Sequence, residues 1–162
     1  MLFRSQALRV RPTHLVALQN LVMLERWKGQ FDKARHAVEA AIAVEPNDPE
    51  FHFALGMLLA GQDKFAEART ELERTVQLRP NDPIALNNLG VVFLRLDQTS
   101  EALVCFERCI RMAPDYDRPF LNIAAIYQGQ GNLQRAREIL KSFLARHPDN
   151  AELAKALESV NR

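Results

Sequence analysis

Apolar residues recur along this chain at spacings of three and four, in runs of about a dozen residues, each run broken by Gly, Pro or Asn-Asp-Pro. Such spacing lines them up on one face of a helix. The pattern predicts a first amphipathic helix over Met1–Val10, with Leu2, Phe3, Ala7, Leu8 and Val10 apolar, ended by Pro12. Four pairs of helices follow. Their first members are predicted over 14–27, 48–61, 82–95 and 116–129, and their second members over 30–44, 64–78, 98–112 and 132–146. Asp48 and Asp82 stand as N-caps, each followed by a proline suited to the first helical turn. A last helix, about Asn150 to Val160, carries Glu152, Lys155 and Glu158 and reads as a solvating cap.

The stretch from Asn81 to Pro114 overlays the stretch from Asn47 to Pro80, position for position, and the same frame recurs four times in register. A fixed period in the thirties is the mark of a helical solenoid. With Leu15, Pro49, Pro83 and Asp117 as first positions, one site in the second helix is Ala34, Ala68, Ala102 and Ala136. The frame closes on Pro46, Pro80, Pro114 and Pro148, and Pro12 fits the end of an earlier repeat. A small residue recurs in the first helix as Gly56, Gly90 and Ala124, preceded by Leu55, Leu89 and Ile123. Two helices cross closely only where one lacks bulk, and the Leu and aromatic residues nearby then fill the groove between hairpins.

This frame resembles the tetratricopeptide repeat, a helix–turn–helix unit of about 34 residues, over essentially the whole chain. The resemblance implies an all-α fold, a right-handed α-solenoid, organised as a single domain over 1–162. In that reading 1–12 is the second helix of a partial repeat, 15–48, 49–82, 83–116 and 117–150 are full repeats, and 151–162 is the capping helix. Departures are Val22 at the Gly site and Glu25 at the aromatic site of the first repeat, Thr99 in the third and Phe143 in the last. The start is unusual, because Leu2, Phe3 and Leu8 do not make the polar outer face that a terminal repeat needs. Two explanations stand: the chain is a piece of a longer array, or its N-terminal helix meets a second copy and forms a homo-oligomer.

The resemblance also implies a binding face, the concave surface lined by the first helices. The sixth position of each repeat reads Asn20, Ala54, Asn88 and Asn122, an interrupted row of side-chain amides. It is similar to the asparagine ladder of the superhelical domain in O-linked N-acetylglucosamine transferase. An amide both donates and accepts, so such a row suits the backbone of an extended peptide, although asparagine also simply tolerates a wet groove. The fifth and ninth positions are Gln19 and Met23, Phe53 and Met57, Asn87 and Val91, Leu121 and Ala125. No Lys occurs among them, so the carboxylate clamp of the family's co-chaperones is not carried over. Met23, Phe53, Met57, Val91 and Leu121 form an apolar stripe that either adapts to varied side chains or packs neighbouring first helices together. Arg26, Trp27 and Arg95 fall near the edge of the groove. The candidate peptide-binding residues are therefore Asn20, Met23, Phe53, Met57, Asn87, Asn88, Val91, Arg95, Leu121 and Asn122.

Composition narrows the partner. With 21 Lys and Arg against 20 Asp and Glu, the 162 residues carry a formal net charge of +1, which makes no electrostatic case for nucleic acid or acidic lipid. The segment from Met1 to Leu24 contains no acid and carries Arg4, Arg9 and Arg11, which suggests a transit peptide. Pro12, however, stands as far before Pro46 as Pro46 stands before Pro80, which places the segment in the repeat frame. The run from Leu15 to Leu24 is short and interrupted by Gln19 and Asn20, so no membrane insertion is expected. Cys105 and Cys109, four apart on one helix, read as core residues and not as a disulfide framework or a zinc site. There is no Gly-rich phosphate loop, no Ser/His/Asp arrangement and no metal-spaced His/Cys cluster, so neither catalysis nor a cofactor is expected. The expected function is a non-catalytic module, cytoplasmic, that binds a peptide or protein segment as a scaffold or adaptor. The rival readings are the substrate-recruiting arm of a larger enzyme, such as a glycosyltransferase, and a self-assembling structural protein.

Overall fold

A computed structural model describes residues 31–161, and within them every regular element is an α-helix. The described helices are α1 (Phe31–Val44), α2 (Pro49–Gly61), α3 (Phe65–Leu78) and α4 (Pro83–Arg95), then α5 (Thr99–Met112), α6 (Arg118–Gly129), α7 (Leu133–Leu144) and α8 (Ala151–Asn161). The helices predicted over 1–10 and 14–27, with Asn20 and Met23, lie outside the described residues. The chain divides at the Pro80–Asn81 junction into two compact units. In the first, α2 packs against both α1 and α3. In the second, α4 pairs with α5 and α6 with α7, α8 closes on α7, and the first helices α4 and α6 touch directly, as do α6 and α8.

Local chemistry sets the helix starts. The Asp48 carboxylate accepts from the Glu50 amide at 2.9 Å, and Asp82 accepts from Ile84 and Ala85 at 2.9 and 3.0 Å. Each cap satisfies donors that the first turn of a helix leaves without partners, and Pro49 or Pro83 follows where a missing N–H costs nothing. Asn150 does the same for α8, accepting from Leu153 at 2.9 Å. At α6 the motif is altered: Asp117 is itself helical and makes no side-chain cap, and the helix begins at Arg118, two residues later than the sequence predicts. Within each hairpin the bend is made by one left-handed residue. Asp63 (φ 59°), Asp97 (φ 58°) and Gly131 (φ 74°) occupy that place. They are spaced by the repeat period, and Gly and Asp are among the residues that enter this region most readily.

The hairpins lock where bulk is missing. Ala34, Ala68, Ala102 and Ala136 are all fully buried. A Cβ added at Gly56 would stand 2.8 Å from Leu72 Cγ, and one at Gly90 would stand 2.5 Å from Phe106 Cε1. The opposing residues Val38, Leu72, Phe106 and Leu140 recur at the same period and are fully buried too. The end of the second unit is filled differently. Phe143 lies edge-on to Phe120 with ring centroids 4.8 Å apart, stacks on His147 at 4.5 Å, and shares a cluster with Leu153 and Val160 of α8. Phe143, a departure from the repeat pattern, thus supplies bulk against both α6 and α8. Cys109 is fully buried, and its thiol donates to the Pro83 carbonyl at 3.1 Å.

Two outcomes follow from this packing. Gly90→Ala gains helix propensity, yet the ring of Phe106 cannot yield as a flexible side chain does, so the variant loses about 1–3 kcal/mol in urea unfolding. Adding Phe106→Leu to it restores much of that loss. Burial pushes the Cys109 thiol from 9.0 up to about 11, with the Asp82 carboxylate and then Cys105 adding to the shift. The unfolded chain gives up this proton first, so the contribution is whole below pH 9 and is lost as pH rises through about 11. Stability measured across that window falls more steeply for the native chain than for Cys109→Ala.

Candidate functional site

The positions that the family resemblance makes inward run, in the second unit, along α4 and α6. On α4 the residues Ile84, Asn88, Val91 and Arg95 follow one another at helical spacing, and all are exposed or half-buried. Ile84 is 55% and Val91 36% exposed, large aliphatic side chains left uncovered on one face. Ile84 is the member of this stripe that sequence reasoning did not single out. The signal was available, since it stands four residues before Asn88 and so on the same helix face.

Asn87 and Asn122 are joined. Asn122 Nδ2 donates to Asn87 Oδ1 at 3.0 Å, tying α6 to α4. Asn87 is buried, at 7% exposure, so its amide is spent inside the fold. Asn88 lies half-buried beside it, and its Nδ2 donates to the Ile84 carbonyl at 2.8 Å. Asn88 and Asn122 each commit a donor within the chain. Each amide carbonyl remains an acceptor, and each Nδ2 keeps a second hydrogen. Leu121 is half-buried and packs against the cluster of Phe120, Phe143 and Leu153, so it acts partly as core. Phe53 and Met57 are half-buried on α2 of the first unit. Arg95 is exposed at the end of α4.

Beyond the ladder, a cleft of about 350 Å³ opens between α6 and α8. Leu121, Asn122 and Ala125 line it from α6, and Glu152, Ala156 and Val160 from α8. Arg118 and Glu152 pair across it at 3.5 Å, with side chains 59% and 55% exposed.

Elsewhere the titratable groups serve structure. His52 is buried, with Nδ1 2.7 Å from Glu71 Oε2 and Nε2 2.9 Å from the Pro46 carbonyl. Glu71 is therefore half-buried and paired, although an acid on a helix face would ordinarily be read as solvated. Among the described residues no group of His, Cys, Asp and Glu is placed to hold a metal ion, and no helix is long and apolar enough to cross a membrane.

A protein of capped helical hairpins, locked at small residues and presenting the exposed faces of its first helices, belongs to the class of helical-repeat interaction modules. A family model of the tetratricopeptide repeat matches residues 22–83 and 54–117, and a second model of the same repeat matches 93–160. The chain belongs to the tetratricopeptide repeat family, and its partners are proteins. Solved structures share the fold. The crystal structure of MamA is 21% identical with a TM-score of 0.76, the match covering 92% of this chain and 87% of that one. MamA 41-end from Desulfovibrio magneticus RS-1 is 24% identical with a TM-score of 0.74, covering 91% and 83%. A tetratricopeptide repeat protein from Parabacteroides merdae ATCC 43184 is 16% identical with a TM-score of 0.76, and the chain spans 59% of its length. No curated protein matches the sequence.

The joined amides separate two substitutions that the sequence alone makes equivalent. Asn122→Ala strands the buried Asn87 carbonyl and costs about 1–3 kcal/mol in thermal or urea unfolding. Asn88→Ala removes only a solvent-accessible contact to its own helix and stays within about 0.5 kcal/mol.

Proposed function

We propose that the second unit holds an extended segment of another protein along the inward face of α4 and α6, with no chemical step. Asn88 and Asn122 meet the peptide backbone, while Ile84 and Val91 cover its apolar side chains. The observation that carries this reading is the state of the two amides. Each is fixed by one internal bond and still offers a carbonyl oxygen and one N–H on an exposed face. Such groups lose little freedom on binding, and preorganisation of this kind lowers the cost of association. In the first unit, Phe53 and Met57 hold the corresponding register and belong to the same proposal, as do Asn20 and Met23 on the basis of sequence. Scaffold or adaptor is then the fitting description, with specificity lodged in side-chain contacts and affinity in the backbone.

The test works with selected ligands in place of the natural partner. Peptides selected from a random displayed library against the full chain are remeasured on Val91→Glu and on Asn88→Ala. Each substitution is expected to weaken the selected peptides about tenfold, or about 1.4 kcal/mol, while the unfolding midpoint stays put. Peptides that bind both variants as tightly as the native chain overturn the assignment of this face.

A further inference from the structure

The amides of α4 and α6 are indifferent to sequence, so any selectivity must come from a place that reads side chains. The cleft between α6 and α8 has the composition for it. Its floor is Leu140 and Val160, and its walls include Ala124, Ala125 and Ala156, three methyl groups where larger residues would close the space. At about 350 Å³ it sits at the small end of binding cavities, too small for a docked helix and large enough for a side chain with its flanking backbone.

The rim says what kind of backbone. Arg118 supplies donors and Glu152 supplies acceptors, both more than half exposed, and Asn122 lines the same cleft. A peptide unit presents one N–H and one C=O, and these match a carboxylate or amide oxygen on one side and a guanidinium on the other. A single-charge ligand would leave either Arg118 or Glu152 opposed, since the two are fixed 3.5 Å apart. The rim is thus complementary to a neutral dipolar group above an apolar floor.

We infer that this cleft is the specificity pocket for one large aliphatic side chain, leucine or methionine, of the bound segment. The inference rests on the proposed peptide-binding face and extends it to α8, the terminal helix that sequence reading makes a solvating cap. An aromatic side chain is the contrasting case, being stiffer than methionine and larger than leucine.

The experiment uses the full chain with alanine methyl groups labelled for NMR. The probe is the blocked pentapeptide acetyl-Gly-Gly-Leu-Gly-Gly-amide, compared with its methionine, phenylalanine and alanine counterparts. The leucine and methionine probes are expected to move the Ala125 and Ala156 methyl signals saturably, about tenfold more tightly than the alanine probe. Ala125→Leu, at an exposed position, fills the mouth of the cleft without crowding the core, and it should abolish the shift of the remaining Ala156 methyl while leaving the unfolding midpoint unchanged. Equal response to all four probes, a preference for phenylalanine, or shifts that survive Ala125→Leu would each overturn the pocket. Library peptides that need Asn88 and Val91 but ignore Ala125→Leu defeat the pocket alone. Independence from Asn88 and Val91 defeats the face on which it rests.

Discussion

Every contact in the two units depends on how closely a first helix can approach a second, and that distance is set by residues with almost no side chain. At Gly90 the backbone of α4 lies so near the Phe106 ring that a single methyl would meet three of its atoms within 2.9 Å. Ala102 on the opposite helix is fully buried for the same reason. Because packed interiors yield little, the choice between Gly and Ala at one position is coupled to the choice between Phe and Leu at another. Gly90 faces Phe106, while Ala124 shares its cluster with the smaller Leu140. The small residue keeps its place even where the facing side chain is a leucine, since a methyl added at Gly56 would stand 2.8 Å from Leu72 Cγ.

The repeat period also places the asparagines. Asn87 and Asn122 are 35 positions apart in sequence, close to one repeat period, and their amides meet at 3.0 Å. The bond therefore measures the rise from one repeat to the next as well as joining them. It also divides labour among the asparagines. Asn87 is consumed by the fold, Asn122 reaches across to it from the next repeat, and Asn88 bonds only within its own helix. Three asparagines of like chemistry thus bond in three different ways.

Much of the architecture was legible in the sequence. The alanines, the two buried glycines and the aspartate caps lie where the repeat period puts them, because each answers a steric or hydrogen-bonding demand local to one repeat. What stayed hidden depends on pairs. Nothing in the sequence shows that Glu71 turns inward to His52, because the partner comes from a different helix and an acid on a helix face looks solvated. The start of α6, expected at Tyr116, was misplaced by two residues, since Pro119 follows one position later than Pro49 and Pro83 follow their aspartates. The cleft between α6 and α8 was invisible for a further reason. It is made by the absence of bulk at Ala125 and Ala156, and only the meeting of the two helices makes that absence a space.

The left-handed turn residues carry a last implication. In the repeat that begins at Pro83, the start signal (Asp82), the close crossing (Gly90 against Phe106), the bend (Asp97) and the anchoring alanine (Ala102) all fall within a single period of the chain. Such a span behaves as a self-contained cassette. Gene duplication that copies whole cassettes lengthens the protein without disturbing its neighbours, whereas a single inserted codon between Asp97 and Ala102 would rotate one helix by about 100° and spoil the junction on both sides. Growth by whole modules is thus favoured over growth by single residues.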